Sequence, residues 1–236
     1  MADEYRDLSH PIETGMRTFP GDPAVSVTPA ATIPEDGFSV REIRCGSHTG
    51  THIDAPGHTE PEGGTLDDRA VGEYVFTACF RDLTPCSPRE ALGPDRLPDS
   101  IDDPDVDLAV LRTGWDEYWT GGRPEEADAP AGPEGSTDDR YLDHPYLSPA
   151  AARRLREADC GVAVDALNPD PTPTANADPD EPDGVPVHHA LLGADLPIIE
   201  NLTGLTGLPE RFTLLAFPLP IADGDGAPVR AVAHVP

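Results

Sequence analysis

Between Ser47 and His58 the chain reads Ser-His-Thr-Gly-Thr-His-Ile-Asp-Ala-Pro-Gly-His, and no other stretch restricts its folding so tightly. His48, His52, Asp54 and His58 place three imidazoles and a carboxylate within eleven residues, out of only eight histidines in 236 residues. Solvated surfaces seldom concentrate ligand types in this way, whereas a site for a divalent metal requires it. Any acceptable fold must bring these side chains to one point.

Spacing narrows the choice. On a helix His48 and His52 would share a face, but Asp54 would lie roughly 200° further round the axis. Gly50, Pro56 and Gly57 also oppose a helix. All four candidates occupy even positions, so an extended segment running into a Pro-Gly turn would aim them the same way. Gly46, Ser47, Thr49, Gly50 and Thr51 are small enough to leave room beside the backbone.

The run from His48 to His58 resembles the H-x-G-T-H-x-D-x-P-x-H signature of the cyclase family of metal-dependent hydrolases, which includes bacterial kynurenine formamidase. The likeness extends to Asp7-Leu-Ser-His-Pro11, Phe19-Pro-Gly-Asp22, Leu111-Arg-Thr-Gly-Trp115, Val187-His-His-Ala-Leu-Leu192 and Ile199-Glu200-Asn201-Leu202, and so spans most of the chain. It implies two divalent ions, Zn²⁺ or Mn²⁺. His48, His52 and Asp54 would hold one, His188 the second, with Asp54 and Glu200 bridging. His189 fits the second motif less well than His188, by one residue. The matching role for His58 is proton donor and acceptor; a further metal ligand is the alternative. Phe19 lies in the loop where the family carries a substrate-contacting aromatic. The implied activity is hydrolysis of a small amide, an arylformamidase reaction of tryptophan catabolism that releases formate. Hydrolysis of a cyclic amide such as isatin is a sibling reading, and metal binding without catalysis is a reading from another class. The resemblance also implies a homo-oligomer, dimer or tetramer.

Composition bounds the partners. Forty-four acidic residues against sixteen basic ones give a net charge of −28, and every basic residue is Arg. Such a surface repels nucleic acid and anionic membranes. It suits a halophilic, high-salt interior, where screening removes the self-repulsion. No charged start leads into an apolar run, and no segment approaches the ~20 apolar residues that span a bilayer. A soluble, cytoplasmic protein acting on a small molecule is the expectation. Cys45, Cys79, Cys86 and Cys160 form no C-x-x-C pair and are expected as buried free thiols.

Along the chain, Tyr5–Ser9, Val25–Ile33, Phe38–Cys45 and Tyr74–Leu83 read as strands, the second and third half-buried by alternation. Ser87-Pro-Arg-Glu90 has the form of a capping box opening a short helix, and Pro94–Asp107 reads as an acidic loop. Leu108–Leu111 is a buried strand presenting Arg112 at its end, where it either holds a substrate carboxylate or pairs with an acid. Gly121–Asp139 reads as a flexible insertion. Ser148-Pro149 starts a helix to about Ala158 with Ala151, Ala152 and Leu155 on one face, followed by a strand over Gly161–Leu167. Asp170–Pro186 is a second loop, delivering His188 and His189 to a short helix or turn. Leu196–Ile199 ends at Glu200, and Phe212–Leu219 and Val229–Val235 close the chain. The sum is a single mixed α/β domain over residues 1–236, rich in strands, as in the swivelling β/β/α fold of the cyclase family.

Overall fold

The structure is a computed structural model that describes residues 3–119 and 140–236. Its strands are β1 (Glu4–Asp7), β2 (Ser26–Ala31), β3 (Val40–Arg44), β4 (His52–Asp54), β5 (Val75–Asp82), β6 (Ala91–Leu92), β7 (Leu108–Arg112), β8 (Tyr146–Leu147), β9 (Gly161–Val164), β10 (Ile198–Glu200), β11 (Arg211–Leu215), β12 (Gly226–Pro228) and β13 (Val232–Val235). The helices are α1 (Ile33–Asp36), α2 (Pro149–Glu157) and α3 (Pro186–Leu192). Nine strands form one mixed sheet in the order β1-β13-β11-β5-β7-β9-β10-β4-β12. Its centre, β5-β7-β9-β10, is parallel, and antiparallel pairs flank it on both sides. This is the expected mixed α/β architecture.

The apolar run of β7 shows why the sheet is buried on both faces. Ala109 and Leu111 point into one cluster with Leu155 of α2 and Leu191 of α3, while Leu108 and Val110 point into another with Ile53, Ile199 and Leu214. The strand period of two thus divides one sequence between two cores. Helix α2 forms as its sequence dictates: the Ser148 side chain accepts from the Ala151 N–H, Pro149 occupies the first turn, and Ala151, Ala152 and Leu155 are buried.

Several expectations are corrected. β2 and β3 are strands, as expected, and form a separate two-stranded hairpin; β2 is partly covered at Ser26, Val27 and Ala31, but β3 is exposed at every position rather than half-buried, with Phe38, Val40 and Ile43 open to solvent. Ser87 to Glu90 is a turn, not a helix. Glu90 does accept from the Ser87 N–H at 2.8 Å, as a capping box requires, but Arg89 takes φ 55° and its guanidinium reaches Glu181, Asp143 and the Thr172 carbonyl. That network outweighs local helix propensity. Pro94–Asp107 is a loop, as expected, with short 3₁₀ turns at Pro94–Arg96 and Asp99–Asp102, and it buries Leu97, Ile101 and Val106. The closing strands are shorter than expected, and β12 lies between them. Cys79 and Cys160 are buried thiols, but Cys45 and Cys86 are only half-buried. Gly121–Asp139 lies outside the described residues. Among those described, no helix is long and apolar enough to cross a membrane.

Candidate metal centre

β4 and β10 build the centre through their register. Ile53 pairs with Ile199 and both enter the same core, so the alternation of each strand turns His52, Asp54 and Glu200 to the opposite face. Glu200 sits directly across from His52. On the far side of β4, β12 places Gly226 opposite Asp54. The strand covers only His52–Asp54: His48 lies in the turn before it, and His58 ends a short 3₁₀ turn at Pro56–His58. All four motif side chains nevertheless converge, and α3 adds His188.

The contacts are close. His52 Nε2 lies 3.2 Å from Glu200 Oε2 and 3.4 Å from Asp54 Oδ1. His188 Nε2 lies 3.3 Å from Glu200 Oε1 and 3.5 Å from Asp54 Oδ2. His48 Nδ1 is 2.8 Å from Asp54 Oδ1. His48, His52 and Asp54 form one group of mutually close ligand atoms, and Asp54, His188 and Glu200 a second, sharing Asp54. Asp54 Oδ2 and Glu200 Oε1 are buried without a hydrogen-bond donor.

Protons cannot be placed freely here. His52 Nδ1 is 2.8 Å from the Gly50 carbonyl, and His188 Nδ1 is 2.7 Å from Asp170 Oδ2; both partners only accept, so both Nδ1 atoms donate. A neutral ring then directs its Nε2 lone pair at carboxylate oxygens, which is repulsive unless a cation intervenes. A proton on the ring is one solution. Burial opposes it, yet hydrogen bonds and the charges of Asp54 and Glu200 prevail, pushing His52 up to about 10 and His188 well above the usual imidazole range. Divalent ions are the other solution. Two nitrogen-and-carboxylate sets, two orphaned oxygens and a shared aspartate fit a pair of them.

The remaining residues surround this core. His58 keeps a third of its side chain open, 33%, with its ring 3.9 Å from that of His48 and 5.7 Å from that of His188 between centroids. Burial and the His48 charge lower its pKa, keeping it neutral. Phe19 is half-buried against the cluster containing Trp115 and Tyr141, and its carbonyl accepts from the Asp22 N–H at 3.0 Å. His189 lies outside the centre, exposed and 2.8 Å from Glu60. Arg112 pairs with Asp82 at 2.8 Å, the plain ion-pair reading. Asn201, in the left-handed region at φ 56°, ties the halves together: it donates to the Gly50 carbonyl at 3.1 Å, accepts from the Thr51 hydroxyl at 2.6 Å through its own carbonyl, and accepts from the Tyr141 hydroxyl at 2.7 Å.

The sequence reading missed Asp170 and Asp225. Asp170 accepts from the Val187 and His188 N–H groups at 2.8 and 3.0 Å as well as from the His188 ring. Asp225 Oδ2 lies 3.3 Å from His48 Nε2 and 3.8 Å from His58 Nδ1. A Cβ on Gly226 would sit 2.5 Å from His48 Cε1, so this position must lack a side chain for the ring to pack there.

The Cyclase family model ("Putative cyclase") matches residues 6–171. The chain belongs to the cyclase family. As a cyclase-family hydrolase it is 30% identical over 229 residues to the kynurenine formamidase of Salinibacter ruber, covering 96% of this chain and 95% of that protein. The kynurenine formamidase of Paracidovorax citrulli is 29% identical over 241 residues, covering 98% and 96%. An isatin hydrolase bound to the product analogue thioisatinate superposes with a TM-score of 0.76 at 24% identity, covering 99% of this chain and 93% of that one. A potential metal-dependent hydrolase with cyclase activity gives a TM-score of 0.69, also at 24% identity, over 99% and 98%. These two likenesses concern the fold of the cyclase-family chain.

Proposed function

We propose that this chain is a metal-dependent arylformamidase, which hydrolyses an N-formyl aromatic amine of the N-formylkynurenine type to formate and the free amine. One observation carries the reading: buried carboxylate oxygens without donors, on Asp54 and Glu200, converge with three imidazoles beside a solvent-reachable fourth, His58. The kynurenine formamidase relatives along almost the whole chain support it.

Zn²⁺ or Mn²⁺ ions held by His48, His52, Asp54, His188 and Glu200 would supply Lewis acidity toward the formyl oxygen and lower the pKa of the attacking water. His58 handles the proton. Its Nδ1 faces Asp225, which leaves Nε2 for the reacting atoms. Neutral at physiological pH, that nitrogen takes a proton from water as the carbon–oxygen bond forms, and returns it to the amine nitrogen as the carbon–nitrogen bond breaks. Phe19, on its turn with Asp22, is the aromatic surface for the substrate ring. A homo-oligomer belongs to the same reading, with the exposed Phe38, Val40 and Ile43 of the β2–β3 hairpin as apolar surface that a second copy would cover.

The test offers N-formylkynurenine, an aryl formamide and isatin to zinc-loaded and manganese-loaded protein, beside a His58→Ala variant. The formyl substrates should be cleaved, and the variant should retain its metal while losing about 10² to 10⁴ in turnover. Cleavage of isatin alone would move the substrate to the cyclic amides. No cleavage of any of the three would overturn the proposal.

A further inference from the structure

Each imidazole of the metal centre has two nitrogens, and only one can face an ion. The far nitrogen needs a hydrogen-bond acceptor that keeps the proton there, because a ring free to exchange tautomers spends part of its time with N–H directed at the cation. In His52 the Gly50 carbonyl serves, 2.8 Å from Nδ1. His188 and His48 have aspartates instead, both remote in sequence from the histidine-rich motif.

Asp170 is built for this task. It is almost wholly buried, 1% exposed, and its hydrogen bonds come from Val187 and His188 at the start of α3. Oδ1 takes the Val187 N–H, while Oδ2 takes both the backbone N–H and the ring Nδ1–H of His188. The same carboxylate therefore fixes the start of α3 and the rotation of the ring it carries, leaving Nε2 directed at Asp54 and Glu200.

His48 is arranged in the opposite sense. Its Nδ1 meets Asp54, the shared buried carboxylate, and its Nε2 meets Asp225 at the mouth. His48, His58 and Asp225 also lie close enough to form a ligand group of their own, so an ion could in principle sit on either side of the ring. Two observations decide between the sides. Asp54 is buried and its Oδ1 faces both His48 Nδ1 and His52 Nε2, as a shared ligand would, whereas the Asp225 side chain is 47% exposed. The ring also lies flat enough on Gly226 that a single added carbon would collide with Cε1, Nδ1 and Nε2, so its orientation is set by the Asp225-Gly226 step of the chain.

We infer that Asp170 and Asp225 are positioning residues of the metal centre, which commit His188 to ligation through Nε2 and His48 to ligation through Nδ1. Each thereby supports a different ion, Asp170 the one between Asp54, His188 and Glu200, and Asp225 the one between His48, His52 and Asp54. The inference rests on the metal-dependent reading above, and its test separates the two.

Zinc is titrated into metal-free wild type, Asp170→Asn and Asp225→Asn against a chromophoric chelator, and ring nitrogens are followed by ¹⁵N NMR on histidine-labelled protein. Wild type should take up two ions, with His52 and His188 coordinated through Nε2 and protonated on Nδ1, and His48 the reverse. Each variant should retain one site at wild-type affinity and weaken the other by about 10- to 100-fold. The wild-type nitrogen pattern needs no variant, so a failure of Asp170→Asn to fold leaves the inference open to refutation. Zinc on Nε2 of His48 would overturn it, as would two ions bound with unchanged affinity in both variants; the metal reading would survive either result. Uptake of no ion by wild type would overturn the metal reading and the inference together.

Discussion

His144 gives the chain a pH-dependent stability that can be worked from its surroundings. The ring is 1% exposed; Nδ1 lies 2.8 Å from the Pro145 carbonyl and must donate, while Nε2 lies 2.8 Å from Thr172 Oγ1, which already accepts from Asn168 Nδ2 at 3.0 Å and can give its own proton to a neutral ring. Burial accordingly lowers its pKa from 6.5 to about 4, against a smaller opposing effect of the Pro145 hydrogen bond. A depressed folded-state pKa means that the unfolded chain binds the proton first as pH falls. The stabilisation is complete above pH 6.5, declines below it and is gone by about pH 4. Between pH 7.5 and 5 the loss is about 2 kcal/mol, or roughly 4–8 °C in melting temperature for a chain of this size. Thermal unfolding of wild type and His144→Gln should be recorded at both pH values in excess chelator. The variant should melt lower at pH 7.5, having lost hydrogen bonds, but its further drop to pH 5 should be smaller than that of wild type by that amount. The acidic groups titrate alike in both proteins and cancel in the comparison. Equal drops would refute the assignment of a neutral, proton-excluding His144.

Two more outcomes are expected. A net charge of −28 should make the melting temperature rise with KCl, most steeply below about 0.5 M, because the Debye length shortens from ~30 Å at 0.01 M to ~3 Å at 1 M; a flat profile would show that self-repulsion does not limit this fold. Zinc at a hundred to a thousand times its dissociation constant should add about 3–4 kcal/mol to stability, reversed by chelator and largely abolished in Glu200→Gln; a chelator-insensitive melting temperature would argue against any ion at this centre.

Much of the sheet was legible because its strands carry their own period. Leu108 to Leu111 is apolar at every position and is a central strand, while Ser148-Pro149 marks the start of α2 as its capping chemistry requires. Failures fall where tertiary contacts decide. Phe38 and Val40 share one face of an extended chain, a spacing that normally signals burial, but among the described residues their hairpin joins no other strand and leaves both open. Gly226-Ala-Pro228 has no readable strand pattern at all. Its Gly and Pro argue against a strand, and it is one only because β4 offers an edge; β12 is the last strand on that side.

The same division runs through the metal centre. His48, His52, Asp54 and His58 declare themselves by their density within eleven residues, and Glu200 by following a buried apolar run where a lone charge needs a partner. Asp170 and Asp225 give no such signal, since each is one of 44 acidic residues in Pro- and Gly-rich surroundings. Asp225 reaches His48 across 177 residues of sequence, and only the β12–β4 register brings it there. Ligand identity is therefore written locally, because the ions demand particular atoms at short spacing. Ring orientation is written in the topology, because any strand or loop that arrives with an acceptor can supply it. It follows that a change confined to β12, far from the histidine motif, should alter which nitrogen of His48 is free while leaving every ligand in the chain unchanged.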